Sequence, residues 1–303
     1  MKKNLIINFH VVNNAQWFET LIVYLKSKYK MVSLSYFEDI NHYKNKNSLC
    51  HITFDDGDIS FYDVVFPVLK KHNIPATIFV SPRSIIEKFN FWFQEVNNYD
   101  ASKMFDILVR ELKLNIETTE KIDYVSILKT LPLDRINDMI FLYQQETNTA
   151  PKSFQNLDLE KIKELQNSKL ITIGAHTLYH PILKNETDER IDEEISKSIT
   201  ELSDLLGEEV RYFAYPNGTP NLDFGLREID CLKKNGIQIA VSTEPNFVNK
   251  KSEKMAFPRI GITKGSIRFV KLRLFLGPKW RLIKSLKQPL EKKQRENPKK
   301  RVN

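Results

Sequence analysis

Short apolar runs alternate along this chain with longer stretches in which apolar and charged positions mix. Runs of four to eight apolar residues read as buried strands. Longer stretches with apolar positions three and four apart read as helices. Residues 4–9 and 31–34 are strand candidates, with a helix over 16–28 between them. A strand over 50–54, a helix over 61–72 ending near Asn73, and a strand over 75–80 follow. After residue 155 the same rhythm gives helix 158–168, strand 170–174, helix 188–206, strand 211–215, helix 223–235 and strand 237–242. Asp188 and Glu189 suit the start of the long helix, and Gly207 and Gly236 suit helix ends. Strands alternating with helices predict a parallel sheet closed, or nearly closed, into a (β/α) barrel.

Residues 83–155 interrupt the rhythm. Their helical stretches, around 101–113 and 134–146, predict an α-helical insertion over the top or side of the barrel. The expected organisation is a catalytic domain over 1–263, carrying that insertion, and a C-terminal tail over 264–303. A chain of 303 residues is long enough to bury a core of this size.

Charge separates the tail from the rest. Of 46 basic residues, 14 lie in 264–303 beside only two acids, which leaves 32 bases against 36 acids in the body. A mildly acidic body does not suit nucleic-acid binding, and no nucleic-acid partner is expected. Between residues 267 and 290 the tail interleaves Phe269, Leu272, Phe275, Trp280 and Leu282 with bases. That pattern suits peripheral contact with an anionic membrane face, or an apolar face packed on the barrel with only the end in solvent. The apolar stretch over 5–12 is broken by Asn8 and His10, too short and polar for a signal segment, so a cytoplasmic location is expected. Cys50 and Cys231 form no Cys-x-x-Cys pair, which fits a reducing compartment and indicates no thiolate metal site.

Chemistry concentrates at two strand ends. Asp55-Asp56-Gly57 follows Ile52-Thr53-Phe54, and His176 and His180 follow the strand over 170–174. Ligands gather at the carboxyl ends of parallel strands. One carboxylate and two imidazoles make a three-donor site for a divalent metal with positions left for water and substrate. Zn2+ is the default, with cobalt, nickel and iron open. Thr177 stands where a zincin helix carries Glu, so His-x-x-x-His here is not that motif. Two histidines and a carboxylate also describe non-haem iron oxygenases, but an Asp ahead of the histidine pair favours hydrolysis.

Thr53-Phe54-Asp55-Asp56-Gly57 and His176-Thr177-Leu178-Tyr179-His180 resemble the first two motifs of the polysaccharide deacetylases, the NodB-like carbohydrate esterases. Phe213-Ala214-Tyr215-Pro216-Asn217-Gly218 is similar to their third motif, and the likeness spans roughly residues 4–262. The resemblance implies a distorted (β/α) barrel and metal-dependent removal of an N-acyl group, first of all N-acetyl, from an amino sugar; the lack of a signal segment and the basic tail suggest action at the cytoplasmic membrane face on a lipid-linked glycan precursor. The resemblance also implies Asp56, His176 and His180 as metal ligands, Asp55 as general base, and the Asn217 backbone N–H as an oxyanion donor. Two departures matter. Ala214 stands where many members have the Arg that orients the base; Arg259 is the candidate substitute, or else half of a surface ion pair. No His follows His180, although most members carry their acid His in a late motif. His10 is the candidate acid, because some exopolysaccharide deacetylases resemble this chain in supplying that His from an N-terminal strand. The alternative is a core His. Phe91, Trp92 and Phe93 read as core or as a sugar-stacking platform. His42, His51 and His72 are assigned no part in the chemistry. A non-catalytic glycan-binding protein that keeps the metal site, and a deacylase of a small soluble amide, stay open beside the deacetylase reading.

Overall fold

A computed structural model describes residues 3–39, 48–114, 123–262 and 265–279. Strand β1 (Leu5–Phe9) is buried throughout. Helix α1 (Ala15–Lys28) begins at Asn14, whose side chain accepts the Trp17 N–H. Strand β2 is only Lys30–Met31, shorter than the expected 31–34. Leu34 and Phe37 are three apart and both point inward, so the chain turns into one 3₁₀ turn over Leu34–Phe37. Strand β3 (Leu49–Phe54) has every residue buried. A π-helical turn over Phe61–Val65 leads into α2 (Phe66–His72), where Pro67 lacks the N–H that a regular turn would give to residue 63.

After β4 (Ala76–Val80) the insertion supplies α3 (Pro82–Glu87), α4 (Trp92–Val96), α5 (Ala101–Leu112), α6 (Tyr124–Leu128) and α7 (Leu133–Thr147). These helices share an apolar cluster of their own, with Met104, Leu108, Ile136 and Met139 at its centre and Ile182 joining it from beside the barrel. Trp92 is buried in that cluster and Phe91 is buried too, so neither offers an open face for a sugar. The barrel continues with α8 (Leu159–Asn167), β5 (Ile171–Ala175), α9 (Asp188–Leu206), β6 (Tyr212–Ala214), α10 (Leu226–Lys234), β7 (Ile239–Val241) and β8 (Ile260–Gly261).

All strand pairs of the sheet are parallel, in the order β7-β6-β5-β4-β3-β1-β8, with β2 paired to the start of β3. The last segment joins the two edges. Ile260 and Gly261 pair with Ile7 and Asn8, while Phe257 bonds to Ala240 and Ser242 of the β7 side. The result is a distorted (β/α) barrel with the helical insertion described above.

Alternation sorts the strand residues between two faces. Leu5, Ile7, Phe9, Cys50, Ile52 and Phe54 pack outward under the helices, where the Phe9 and Phe54 rings stack at 5.1 Å. Ile6, Leu49, Phe79, Tyr212 and Ile239 belong to a second cluster inside the barrel. Both faces are buried, which is why these strands read as continuous apolar runs.

Helix α11 (Ile267–Leu276) lies beyond β8. Val270 and Leu274, one turn apart, are buried, and the Trp17 indole N–H donates to Gly265 O. Phe275 stays 71 % exposed. The helix therefore packs one stripe and leaves another open. Most of the expected membrane-binding segment, 280–303, lies outside the described residues. Among the described residues no helix is long and apolar enough to cross a membrane.

Candidate active site at the barrel mouth

The inward column of β3 runs Leu49, His51, Thr53 and then Asp55 at the mouth. Asp55 is almost fully buried and receives two side chains. Arg259 donates Nη1 to Oδ1 at 2.7 Å and Nη2 to Oδ2 at 2.8 Å, a bidentate pair. Asn8 donates Nδ2 to Oδ2 at 3.0 Å. Arg259 itself is wholly buried; its Nε donates to Ser242 O at 2.9 Å and Nη1 also reaches Thr53 Oγ1 at 3.1 Å. It is not a surface ion pair, and it reaches Asp55 from the segment that closes the barrel.

Asp56 faces elsewhere because the backbone turns. It is left-handed (φ 73°), and Gly57 follows in the same region (φ 72°), where a Cβ would come within 3.0 Å of a Val80 methyl. The turn aims Asp56 at the loop after β5. His176 Nε2 and His180 Nε2 both lie 3.3 Å from Asp56 Oδ1. His176 is held by its backbone N–H to Val80 O at 3.0 Å and by its ring Nδ1, which donates to Ala214 O at 2.7 Å. That bond assigns the proton to Nδ1 and turns Nε2 inward. His180 Nδ1 is buried with no partner among the described residues. Thr177 (φ 63°) and His180 (φ 60°) are left-handed, and the Thr177 hydroxyl accepts the His180 N–H at 3.0 Å.

Three acceptor-type atoms converging on one point repel unless a proton or a cation lies between them. The three donors are of a type and spacing that fit a divalent cation, all within 4.8 Å of one another. The charges respond to the crowding. Burial pushes the Asp56 carboxyl up, but the hydrogen bonds of His176 and His180 hold it well below the usual range. Burial pulls His176 down most strongly, but its bond to Asp56, the charges of Asp55 and Asp56 and its bond to Ala214 O together raise it. For His180 burial wins and its pKa is lowered. Asp55 is pushed up by burial and pulled further down by Arg259, ending below the usual carboxylate range.

His10 reaches the same mouth from the end of β1. Its Nε2 lies 4.0 Å from Asp55 Oδ2 and its side chain is 54 % exposed, so it is not a core histidine. Asn217 sits in the turn after β6, left-handed (φ 55°), with its carbonyl accepting from Thr243 Oγ1 at 2.7 Å and its side-chain Nδ2 buried and unpaired among the described residues. Phe91 and Phe93 pack their rings 5.0 and 4.9 Å from His180, walling the site on the insertion side. Sequence reasoning missed Asn8, whose inward place one residue ahead of the strand end was its only signal. It also missed Ser81, whose hydroxyl donates to His176 O at 2.9 Å.

A closed parallel barrel whose mouth joins an acid pair to two histidines defines a class of hydrolase-like sites at strand ends. The sequence profile of the polysaccharide deacetylases matches residues 42–240, and the chain belongs to that family. Among curated relatives it is similar to poly-β-1,6-N-acetyl-D-glucosamine N-deacetylase of Staphylococcus aureus, 25 % identical over 284 residues, covering 86 % of this chain and 78 % of the relative. Among solved structures it is similar to IcaB from Ammonifex degensii, with TM-score 0.61, 20 % identity, and coverage of 90 % of this chain and 97 % of that one. The Streptococcus pyogenes deacetylase PplD in complex with acetate gives TM-score 0.59 at 17 % identity, covering 90 % and 98 %.

Proposed function

We propose that this protein hydrolyses the N-acetyl amide of amino-sugar units in a poly-N-acetylglucosamine-type glycan, with a divalent cation, Zn2+ the first candidate, held by Asp56, His176 and His180. The observation that carries the reading is the pairing of two stations within one mouth: an ionised Asp55 clamped by Arg259, directly beside a three-donor cluster. The bound cation supplies Lewis-acid polarisation of the acyl carbonyl and makes water more acidic. Asp55 accepts the proton of the attacking water as its oxygen bonds to the carbonyl carbon. Arg259 keeps that carboxylate ionised and, with Asn8, aimed. The Asn217 backbone N–H donates to the oxygen that gains charge. His10, open to solvent beside Asp55, gives a proton to the nitrogen as the C–N bond breaks, so the products are acetate and the free amine. The staphylococcal relatives' name favours a polymer over a lipid-linked precursor as substrate.

The test is acetate release from β-1,6-linked N-acetylglucosamine oligomers, from a lipid-linked amino sugar and from a small acetamide, with chelation and Zn2+ add-back. Chelator-sensitive, Zn2+-restored release that rises with oligomer length supports the proposal. Glycan binding without acetate release would replace it with the non-catalytic reading. Preference for the small acetamide would replace it with the small-amide deacylase.

A further inference from the structure

Helix α9 buries a carboxylate against the loop that carries the histidines. Glu194 is 0 % exposed. Its Oε2 accepts the backbone N–H groups of Leu178 at 2.9 Å and Tyr179 at 3.0 Å. Those two residues sit in the middle of the 176–180 loop, between the histidines. One turn back on the helix, Arg190 Nη2 lies 2.9 Å from Glu194 Oε1, an ion pair whose angle does not make it a hydrogen bond. The Arg190 guanidinium also lies over the Tyr179 ring at 5.6 Å. The helix thus grips the loop by backbone and by side chain together.

The loop needs such a grip. Two residues spaced i, i+4 meet one carboxylate oxygen here without being helical, because Thr177 and His180 take left-handed conformations. A β-branched Thr in that region is disfavoured and persists only where its surroundings hold it. Packing alone would be served by an apolar side chain, and an ionisable group at zero exposure is costly unless it is paired. Burial pushes the Glu194 carboxyl up to about 7, while the Tyr179 N–H, Arg190 and the Leu178 N–H pull the other way.

We infer that Glu194 is a positioning residue: its carboxylate fixes the 176–180 loop so that both imidazoles face Asp56, and thereby sets the affinity of the cation site. The inference rests on the metal reading proposed above, and its test separates the two. On the full chain, Zn2+ affinity is measured by chelator competition, Co2+ absorption reports ligand geometry, and amide exchange at Leu178 and Tyr179 is followed without metal. Glu194→Ala is expected to weaken Zn2+ binding 10–100-fold, to alter the Co2+ spectrum and to speed exchange at the two amides. Glu194→Gln keeps the shape and an acceptor oxygen, and is expected to recover most of the affinity. Wild-type affinity and spectrum in Glu194→Ala would overturn the inference, as would an affinity loss no larger than the loss of folded protein. If Glu194→Ala does not fold, Glu194→Leu keeps the volume without the acceptor: wild-type amide exchange and Zn2+ affinity there overturn the inference, and faster exchange with a roughly 10–100-fold weaker affinity supports it. If the wild type binds neither ion, the metal reading and the affinity role fall together, while unchanged exchange in the variants would show that the loop is not held by Glu194 either.

Discussion

Histidines occupy two levels of the same barrel, and their bonding differs. At the waist, His51 is buried with both ring nitrogens matched, Nδ1 to Val32 O at 2.8 Å and Nε2 to Thr77 Oγ1 at 2.9 Å. At the mouth, His176 Nδ1 is matched to Ala214 O while its Nε2 faces the Asp56 carboxylate, and His180 Nδ1 has no partner among the described residues. Both mouth rings turn Nε2 towards one carboxylate oxygen. Burial is the same in the two places, so burial does not separate a structural histidine from a ligand. On the metal reading proposed above, what Nε2 faces does: a hydroxyl at the waist, a shared carboxylate oxygen at the mouth. A waist histidine has no bonding capacity left for a guest, whereas the mouth keeps its capacity in hand.

The sharpest way to break this contrast is to remove one ring at each level. His176→Ala or His180→Ala is expected to lose bound Zn2+ and to drop turnover to background, measured by metal content and acetate release on the same sample. Full metal occupancy in both variants would erase the distinction. Next in size is the base. Asp55→Asn is expected to keep its metal and lose turnover by roughly 10²–10⁴-fold. His10→Ala should do likewise with a smaller loss, of about 10²-fold at the lower end of the same range. Near-normal rates in either would move that proton transfer to another group.

Arg259→Met comes third. It leaves the Asp55 carboxylate buried without its charged partner, which costs about 3–5 kcal/mol of unfolding free energy measured by urea unfolding. The Asp55 pKa is lowered in the folded protein, so the pair's contribution is present above the unfolded carboxylate value and is lost as pH falls through the folded one. Arg259→Met should therefore flatten that part of the acid sensitivity and move the acid limb of activity to higher pH. An unmoved acid limb would show that the guanidinium does not tune the base. The smallest effect belongs to the waist. Burial lowers the His51 pKa from 6.5 to about 4. The unfolded chain thus binds a proton that the folded one refuses between those values, and stability falls as pH falls through that window. The lost stability is about 3 kcal/mol at the bottom of it. His51→Gln should reduce the pH slope between 6.5 and 4 and leave Zn2+ content unchanged. A change in metal content would break the comparison from its other side.

The fold was largely legible in the sequence because strands buried on both faces read as uninterrupted apolar runs and the long helices carry several turns of periodic signal. Helix Asp188–Leu206 coincides with the expected 188–206. Helices of five or six residues, such as Pro82–Glu87 and Trp92–Val96, are too short to show a period. Asp55, Asp56, His176 and His180 were legible because type and strand-end position agree. Arg259 was reachable only through what Ala214 lacks, since nothing local marks an arginine that bonds across 204 residues. Glu194 was hidden by company: α9 also carries Asp188, Glu189, Asp192, Glu193 and Glu201. Its signal was phase, because it falls on the buried face with Ile191, Ile195, Ser198 and Leu202.

The closing segment has a bearing on the order of events during synthesis. Asn8 and His10 come from the first strand, while Arg259 comes from the stretch that stitches β7 to β1. A growing chain that has not yet exposed residue 259 already holds both aspartates and both mouth histidines, but its base lacks the guanidinium that aims it. On the mechanism proposed above, the Asp55 carboxylate is therefore aimed only once that last stitch is made.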